Sequence, residues 1–285
     1  MWRKETTLID KVISYSLLVF LGALLASPFS FMISVALTSD ETAVKMDFSF
    51  IPEEFHIENF VRVFGPPHEL GRYFKNSLIL CFFAVIGQVF ASSLVAYGFA
   101  RLRAPGKDIL FVILLSTMMI PGEVTMIPQF DIFRRLQWIN TLLPLIVPNF
   151  FGGAYNIFLM RQFISRVPRD LDEAAQIDGL SFMGIYRQII LPLIKPVLVT
   201  VAIMTFSWNW GWFMGPLIYI NDTEKMPLAL GVQILSAVPG GQLPKYNIVM
   251  VGALILVLPM VLLYFFGQKY MYQVGIVSSG GSTLK

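Results

Sequence analysis

The polar side chains that could bind a partner are concentrated in one short segment of the chain. It reads Glu173-Ala174-Ala175-Gln176-Ile177-Asp178-Gly179, and Leu191-Pro192 and Pro196 follow it. Its carboxylates can form charge-assisted hydrogen bonds with arginine or lysine side chains of another protein, and its alanines let another backbone come close. Long apolar runs flank the segment on both sides. These residue types at this spacing favour docking over catalysis.

Residues that could carry out catalysis or bind a metal are scarce. The chain has two histidines, His56 and His68, and one cysteine, Cys81. Two histidines argue against a histidine-based metal site, and a single cysteine excludes an internal disulfide. Cys81 lies in an apolar run, which marks it as a small buried or lipid-facing residue. The chain also lacks a glycine-rich phosphate loop ending in Lys-Ser or Lys-Thr, so we predict no catalytic residue, no metal and no bound cofactor.

The composition of the chain is that of a membrane protein. Of its 285 residues, 56% are hydrophobic and 14% are charged, whereas soluble domains are about 45–50% apolar and about 25% charged. A bilayer core about 30 Å thick needs a helix of roughly 20 apolar residues. Six segments qualify: 12–37, 74–100, 109–130, 141–163, 196–220 and 246–267. The prediction is an all-α, polytopic membrane protein, whose first span is too long for a cleaved signal peptide and is therefore a retained anchor.

The distribution of charge predicts an orientation. If the N-terminus is cytoplasmic, the inner segments hold 13 of the 21 basic residues and seven of the 18 acidic residues, a net charge of +6, and the outer segments have a net charge of −3. The first outer loop is the most acidic, with seven carboxylates between Asp40 and Glu69. Lysine and arginine accumulate on the cytoplasmic side of membrane proteins. We therefore predict six spans with both termini in the cytoplasm.

Prolines and glycines interrupt two of the predicted spans. Pro121-Gly122 and Pro128 lie at the outer end of the third, and the fourth contains Pro144, Pro148, Gly152 and Gly153. A broken backbone is tolerated at membrane depth only inside protein or beside a water-filled cavity, although proline and glycine are also generally commoner in membrane helices. Glu123 follows the first break, and we interpret it as an interfacial residue near the outer surface.

Residues 165–192, between the fourth and fifth spans, are predicted to form a helix-turn-helix on the inner side. Acids suit the start of its first helix, Gly179 suits the end, and Ser181 is a good N-cap for the second helix, which Leu191-Pro192 ends. The second helix has an apolar face made of Phe182, Ile185, Tyr186 and Ile189. We expect that face to be exposed to the cytoplasm, where it fits a groove of a partner. The alternative is a helix lying on the membrane surface, which the many acids disfavour.

The combination of Glu173-Ala174-Ala175, then Asp178-Gly179, then Leu191-Pro192 resembles the EAA loop of bacterial ATP-binding-cassette (ABC) importer permeases. That loop plugs into the ATPase subunit. From about residue 58 onwards the chain also resembles the carbohydrate branch of the family. The matching residues are Asn59-Phe60, Val63-Phe64, Asn76-Ser77, Tyr97–Leu102, Met118–Pro121, Ile127-Pro128, Phe158–Phe163 and Pro216-Leu217.

The resemblance implies a type I ABC importer permease, a non-catalytic subunit that forms half of a pathway for a carbohydrate, such as an oligosaccharide. Its partners would be a second homologous permease subunit, two cytoplasmic ATPase subunits that carry ATP and Mg²⁺, and an external solute-binding protein, with no nucleic acid. It would be a multi-pass protein of the bacterial plasma (inner) membrane. The implied ATPase-coupling residues are Glu173, Ala174, Ala175, Asp178, Gly179, Phe182 and Pro192.

The same resemblance divides the chain into three parts: an anchor with an acidic outer loop at 1–72, a permease domain at 73–270, and a cytoplasmic tail at 271–285 that may contact the ATPases in this family. The outer loop 221–245 corresponds to a loop that reaches into the binding protein. Both of these segments could instead be plain linkers.

Candidate residues for the substrate pathway combine aromatic faces with amides. They are Trp208, Asn209 and Trp210 on the fifth span and Asn149, Tyr155 and Asn156 on the fourth. The alternative for the tryptophans is an aromatic belt at the outer headgroups. Gly211 departs from the family pattern, because a Trp-Asn pair usually stands where this chain has Trp210-Gly211.

Two other functions were weighed. One is an ABC permease for a solute other than a sugar. The other is an ion-coupled secondary transporter, which is disfavoured because no acid, lysine or histidine lies near the middle of a predicted span.

Overall fold

The structure is a computed structural model that describes residues 8–45, 49–52, 54–236 and 243–278. Within these ranges the regular elements are helices α1 to α15, with short 3-10 and π segments between them. Four helical segments are long and apolar enough to cross a membrane, and two bent pairs of helices reach that length when each pair is counted as one span. This agrees with the six predicted spans, and the all-α prediction is confirmed.

Contacts divide the chain into two units, and the first comprises residues 1–70 and 232–255. It contains α1 (Leu8–Ala36), α2 (Asp40–Lys45), α3 (Asn59–Arg62) and the beginning of α15 (Tyr246–Ser278). Helix α1 is apolar on all sides and most of its side chains are exposed. Such a helix is stable only in lipid or against another apolar surface, as expected for an anchor.

The connection after α1 is held by one carboxylate and two amides. Asp40 accepts hydrogen bonds from Arg62 at 2.9 and 3.1 Å, from Lys245 at 2.6 Å and from Asn247 at 2.9 Å. Asn59 donates from its side-chain amide to the carbonyls of Ala36 and Thr38. The guanidinium of Arg62 is the main reason that the pKa of Asp40 lies well below its ordinary range, so this acid stays ionised and keeps these segments together.

We predict that Asp40→Asn lowers the thermal stability of the detergent-solubilised protein at neutral pH but not in strong acid. A carboxylate with a depressed folded pKa contributes its stability above its unfolded pKa of about 3.9, and the contribution is lost as the pH falls towards the folded pKa. Melting temperatures of wild type and variant should therefore differ by a constant amount between roughly pH 5 and 8 and converge below about pH 4. The exposed acid Glu41, which pairs with Lys45, is the control: Glu41→Gln should have little effect anywhere. A gap that stays open at low pH would contradict the role given to Asp40.

The second unit comprises residues 71–231 and 256–285. Its central element is α4 (Leu70–Arg101), around which the following helices are arranged. They are α5 (Lys107–Ser116), α6 (Gly122–Arg135), α7 (Leu143–Ile146), α8 (Ala154–Arg166), α9 (Asp170–Ile177), α10 (Phe182–Ile185), α11 (Leu191–Leu193), α12 (Lys195–Trp210), α13 (Met214–Tyr219) and α14 (Leu228–Ser236).

The break predicted in the third span is present. Helix α5 and a short 3-10 segment end at Met119, Pro121 is extended, and α6 leaves at an angle of 99°. Pro121-Gly122 is therefore the interruption, whereas the break predicted at Pro128 is wrong, because that proline lies inside α6. The solvent- or lipid-facing side of α6 provides the space that the proline ring needs: Pro128 itself is exposed.

The fourth span is broken between α7 and α8, as predicted. A 3-10 segment, Val147–Phe151, follows α7, and Gly152 then takes a positive φ of 74°. The glycine pair also lies against α4. A Cβ added to Gly153 would come within 2.9 Å of the Gln88 side chain, and one added to Gly152 within 3.2 Å of Ser92. The backbone of the break is thus covered by protein, which is the condition for tolerating it in a membrane.

The fifth span differs from its prediction as one helix over 196–220. Helix α12 ends at Trp210, and α13 begins at Met214 after a short break. At the other end, the helical run that starts at Phe182 continues through Leu191-Pro192 to Leu193 and meets α12 at an angle of 78°. Pro192 does not end the helix, because a proline near the start of a new helical segment loses no hydrogen bond.

The last helix is longer than predicted. Helix α15 runs to Ser278, beyond the predicted span end at 267 and into the segment 271–285 that we expected to be a tail. The remaining tail residues, 279–285, lie outside the described residues, as do residues 237–242 of the predicted outer loop.

Segments that the charge pattern places on one side of the membrane meet at one end of the second unit. Asn140, between the third and fourth spans, accepts hydrogen bonds from the backbone of Asn221 and Asp222 after the fifth. Near the same loop, Arg72 at the start of α4 pairs with Glu224 at 2.9 Å. The opposite end of α4 contacts residues 167–182 instead, as described below. The alternation of inner and outer loops in the prediction is consistent with this grouping.

Candidate functional site

The segment from 165 to 192 folds as two short helices with a glycine turn between them. Helix α9 begins with Asp170, Asp172 and Glu173 in its first turn. It stops before Gly179, which has a φ of +85°, the left-handed conformation in which a side chain is disfavoured. Leu180 then donates to the carbonyl of Ala175 at 2.9 Å. The predicted stop at Gly179 is confirmed.

The second helix begins where the sequence indicated. The Ser181 side chain accepts a hydrogen bond from the backbone of Gly184 at 3.2 Å, as an N-cap does. Helix α10 is followed by a π segment, Tyr186–Ile190, and then by α11. We define residues 165–192 as the coupling segment.

The apolar face of α10 is oriented differently from the prediction. Ile185 and Tyr186 are buried in the core of the chain, together with Ala175 of α9, whereas Phe182 is exposed. The expectation that all of these residues face the cytoplasm was therefore wrong for Ile185, Tyr186 and Ala175. The reason is that α4 lies directly against this side of the helix pair and covers it.

A buried ion pair joins the coupling segment to the end of α4. Arg101 Nε lies 3.1 Å from Asp172 Oδ2, and the two side chains are only 4% and 13% exposed. The same guanidinium donates a hydrogen bond to the carbonyl of Val167 at 2.7 Å. One arginine thus holds both the end of α8 and the beginning of α9.

Two hydrogen bonds extend this attachment along α4. Tyr97 Oη donates to the carbonyl of Phe182 at 3.0 Å, and Ser93 Oγ lies 2.7 Å from Tyr186 Oη. Ser93, Tyr97 and Arg101 are spaced by four residues and therefore lie on one face of α4. This anchoring row was missed from the sequence, although polar residues at a four-residue spacing in an apolar helix are a signal that could have identified it.

The opposite side of the coupling segment is exposed. Ile177 is 88% exposed, and the side chains around it are exposed as well. We define the coupling surface as Leu171, Glu173, Ala174, Ile177, Asp178 and Phe182. Four of these six were predicted, and Pro192 is exposed too. Isoleucine and leucine exposed at a helix turn outside the apolar spans indicate a surface that another protein covers.

The three candidate residues on α12 have different environments. Trp208 is 71% exposed, whereas Trp210 is 1% exposed. Trp210 donates from Nε1 to the carbonyl of Leu256 at 2.8 Å and stacks on Phe206 with ring centroids 5.3 Å apart. Asn209 is buried and donates to the carbonyl of Thr205 in its own helix. Trp210 is therefore a core residue, and its predicted place in a pathway is wrong because its ring is enclosed by protein.

The candidates on the fourth span lie around the broken segment. Asn149 donates to the carbonyl of Leu145 at 2.9 Å and so helps to close the 3-10 segment. Tyr155 is exposed and Asn156 is partly exposed. The side chains of Trp208 and Tyr155 thus remain available to a ligand, while the amides of Asn149 and Asn209 are engaged with the backbone.

Comparison with known proteins agrees with this architecture. Residues 88–273 match the family described as the inner membrane component of binding-protein-dependent transport systems. Among curated relatives, the arabinooligosaccharide transport permease AraQ of Bacillus subtilis (strain 168) is 30% identical over 82% of each chain. The trehalose/maltose transport permease MalG of Thermococcus litoralis is 30% identical over 89% of this chain and 92% of its own.

A solved structure shows the same fold. One chain in the crystal structure of a bacterial ABC transporter involved in alginate import aligns with a TM-score of 0.81. The alignment covers 95% of this chain and 99% of that one, at 21% sequence identity. The family match spans most of the chain and includes α8, the coupling segment and α12. The chain therefore belongs to the inner membrane components of binding-protein-dependent, ATP-driven import systems, and is a non-catalytic, multi-pass permease subunit.

Proposed function

We propose that this permease carries a carbohydrate, in particular an oligosaccharide, from a solute-binding protein outside the cell to the cytoplasm. It does so as half of a pathway shared with a second, homologous permease subunit. AraQ and MalG are named for oligosaccharide and disaccharide transport, and the proposal extends that substrate class to this chain. Two ATPase subunits in the cytoplasm supply the energy, with ATP and Mg²⁺ bound to them and not to this chain.

The observation that carries the coupling role is the two-sided construction of the segment 165–192. One side is fixed to α4 by the Arg101–Asp172 ion pair and by Tyr97. The other side exposes an apolar surface centred on Ile177. A partner that moves this surface must also move α4, because buried ion pairs and hydrogen bonds resist separation.

The mechanism follows from this construction. The ATPase subunits hold the coupling surface, and their closure on ATP displaces it as a rigid body. The displacement passes to α4 and thereby to the broken fourth span, whose glycines lie against Gln88 and Ser92 of α4. In this way the pathway changes from inward-facing to outward-facing, and hydrolysis resets it. We place both termini in the cytoplasm, in agreement with the excess of basic residues on that side.

Reconstituted transport tests the proposal. The two permeases and two ATPases are placed in vesicles, and uptake of labelled solutes delivered by the binding protein is measured with and without a block of ATP hydrolysis. We expect ATP-dependent uptake of oligosaccharides. Uptake of another solute class alone would refute the carbohydrate substrate, and uptake that persists without hydrolysis would refute the coupling.

We predict that Gly179→Val weakens ATPase binding while leaving membrane insertion intact. The left-handed conformation of Gly179 costs an ordinary residue roughly 1–2 kcal/mol, and a β-branched residue is the least tolerant. The loss can be measured as the affinity between permease and ATPase and should reach about tenfold. No atom lies within 4 Å of a Cβ built at Gly179, so the effect would come from the backbone alone.

Gly122→Val is the matched control for this prediction. Gly122 also has open space around a built Cβ, but its φ is not positive. Its replacement should leave ATPase affinity within about twofold of wild type. Equal affinities for Gly179→Val and wild type would show that the turn does not position the coupling surface.

A further inference from the structure

A pocket of about 530 Å³ lies beside the coupling surface, between the end of α4 and the helix pair α9–α10. We call it the inner pocket. Its lining residues are Arg101, Leu102, Arg103, Arg169, Asp172, Glu173, Gln176 and Phe182. The volume falls within the roughly 300–1,000 Å³ typical of ligand clefts, so the pocket has room for a short segment of another protein.

The charges of the pocket are only partly balanced within the chain. Arg101 and Asp172, the buried pair, neutralise each other at the base. Arg103 and Arg169 are exposed, and within the described part of the chain neither forms an ion pair with a carboxylate. Arg169 also lies close enough to Arg101 to repel its charge. A group that brings a negative charge between these arginines would relieve that repulsion and gain charge-assisted hydrogen bonds.

The other lining residues indicate what kind of group carries the negative charge. Phe182 offers an exposed aromatic wall, and Gln176 and Glu173 offer a hydrogen-bonding edge. A segment of protein with an acidic side chain can use all three, whereas the phosphate of a lipid headgroup would meet the carboxylate of Glu173. Glu173 and Phe182 also belong to the coupling surface, so a protein that covers that surface reaches the pocket without a gap.

We propose that the inner pocket is an anchoring site for an aspartate or glutamate of the partner ATPase subunit, bound between Arg103 and Arg169. The proposal rests on the proposed coupling function and adds a second point of attachment to it. The exposed helix surface centred on Ile177 provides apolar contact, and the two arginines provide a directional, salt-sensitive contact. Arginine suits this role because its planar guanidinium binds a carboxylate through two parallel hydrogen bonds.

The experiment measures ATPase affinity for the assembled permease pair in nanodiscs. The double variant Arg103→Glu with Arg169→Glu should bind the ATPase about tenfold more weakly or worse than wild type. It should also lose part of the salt dependence of binding. The matched control is Arg187→Glu, an exposed arginine of the coupling segment outside the pocket, which should change affinity by less than about twofold. Wild-type affinity of the double variant would overturn the proposal.

A cross-linking measurement identifies the occupant even if the double variant folds poorly. A photoreactive p-benzoylphenylalanine replaces Leu102, which lines the pocket, so both arginines are retained. We expect the cross-linked ATPase peptide to contain an acidic residue. A cross-link to lipid alone, or none, would overturn the proposal.

A third position separates this proposal from the coupling function. The same photoreactive residue at Ile177 reports the coupling surface itself. A cross-link to ATPase from position 177 but not from 102 would refute the acidic anchor and leave the coupling function standing. Failure at both positions would refute the coupling function as well.

Discussion

Replacing Arg101 by methionine should uncouple transport from ATP hydrolysis. Asp172 would then lie largely buried without its partner, and breaking a buried ion pair from one side costs about 3–5 kcal/mol. The carbonyl of Val167 would lose its donor as well. The coupling segment would no longer be fixed to α4, so ATPase movement would displace it without moving the pathway. We expect uptake to fall at least about tenfold while the ATPase still hydrolyses ATP.

The measurement is uptake per ATP hydrolysed in reconstituted vesicles. Asp170→Asn is the matched control, because Asp170 is an exposed acid in the same first turn of α9 and should affect the ratio little. The double variant Arg101→Met with Asp172→Leu should recover part of the loss, since an apolar pair can replace a buried ion pair. A normal ratio for Arg101→Met would show that the coupling segment transmits movement by another route.

The sequence was sufficient to predict the spans and the local turns of the coupling segment. Span length depends only on the thickness of the bilayer, which the apolar runs match. The break at Pro121-Gly122, the stop at Gly179 and the cap at Ser181 follow from the conformational preferences of single residues. Such features are local, and neighbouring elements changed them little.

The sequence was not sufficient to predict which helix faces are covered. A helical repeat identifies an apolar face but not the element that lies against it. Ile185 and Tyr186 were expected to meet a partner, yet α4 covers them. The helix continued past Pro192 for a related reason, because its cost depends on which carbonyls remain unpaired at that point. Both differences arise from tertiary packing.

The two tryptophans of α12 show the same limit within three residues of sequence. Positions two apart on an α-helix differ in direction by roughly 200°, so Trp208 and Trp210 cannot both face a pathway. The sequence favoured neither. In the structure Trp208 is exposed and Trp210 is enclosed by Phe206 and Phe74, which assigns one ring to a surface and the other to the core.

Trp210→Ala should therefore destabilise the protein, and Trp208→Ala should not. Removing a buried tryptophan ring leaves a cavity and costs about 3–5 kcal/mol, and the carbonyl of Leu256 would lose its hydrogen bond. Thermal unfolding of the purified permease in detergent measures this cost, and we expect a clearly lower melting temperature for Trp210→Ala alone.

Trp208→Ala is the matched control for stability and a test of the pathway. Its ring is 71% exposed, so its loss should change the melting temperature little. If the ring stacks on a sugar in the pathway, its removal should alter the rate of uptake or the preference among oligosaccharides, because stacking on an aromatic face discriminates among apolar sugar surfaces. Wild-type uptake of every oligosaccharide tested would assign Trp208 to the lipid interface instead. A large fall in stability for Trp208→Ala, or none for Trp210→Ala, would mean that the two rings have been assigned to the wrong environments.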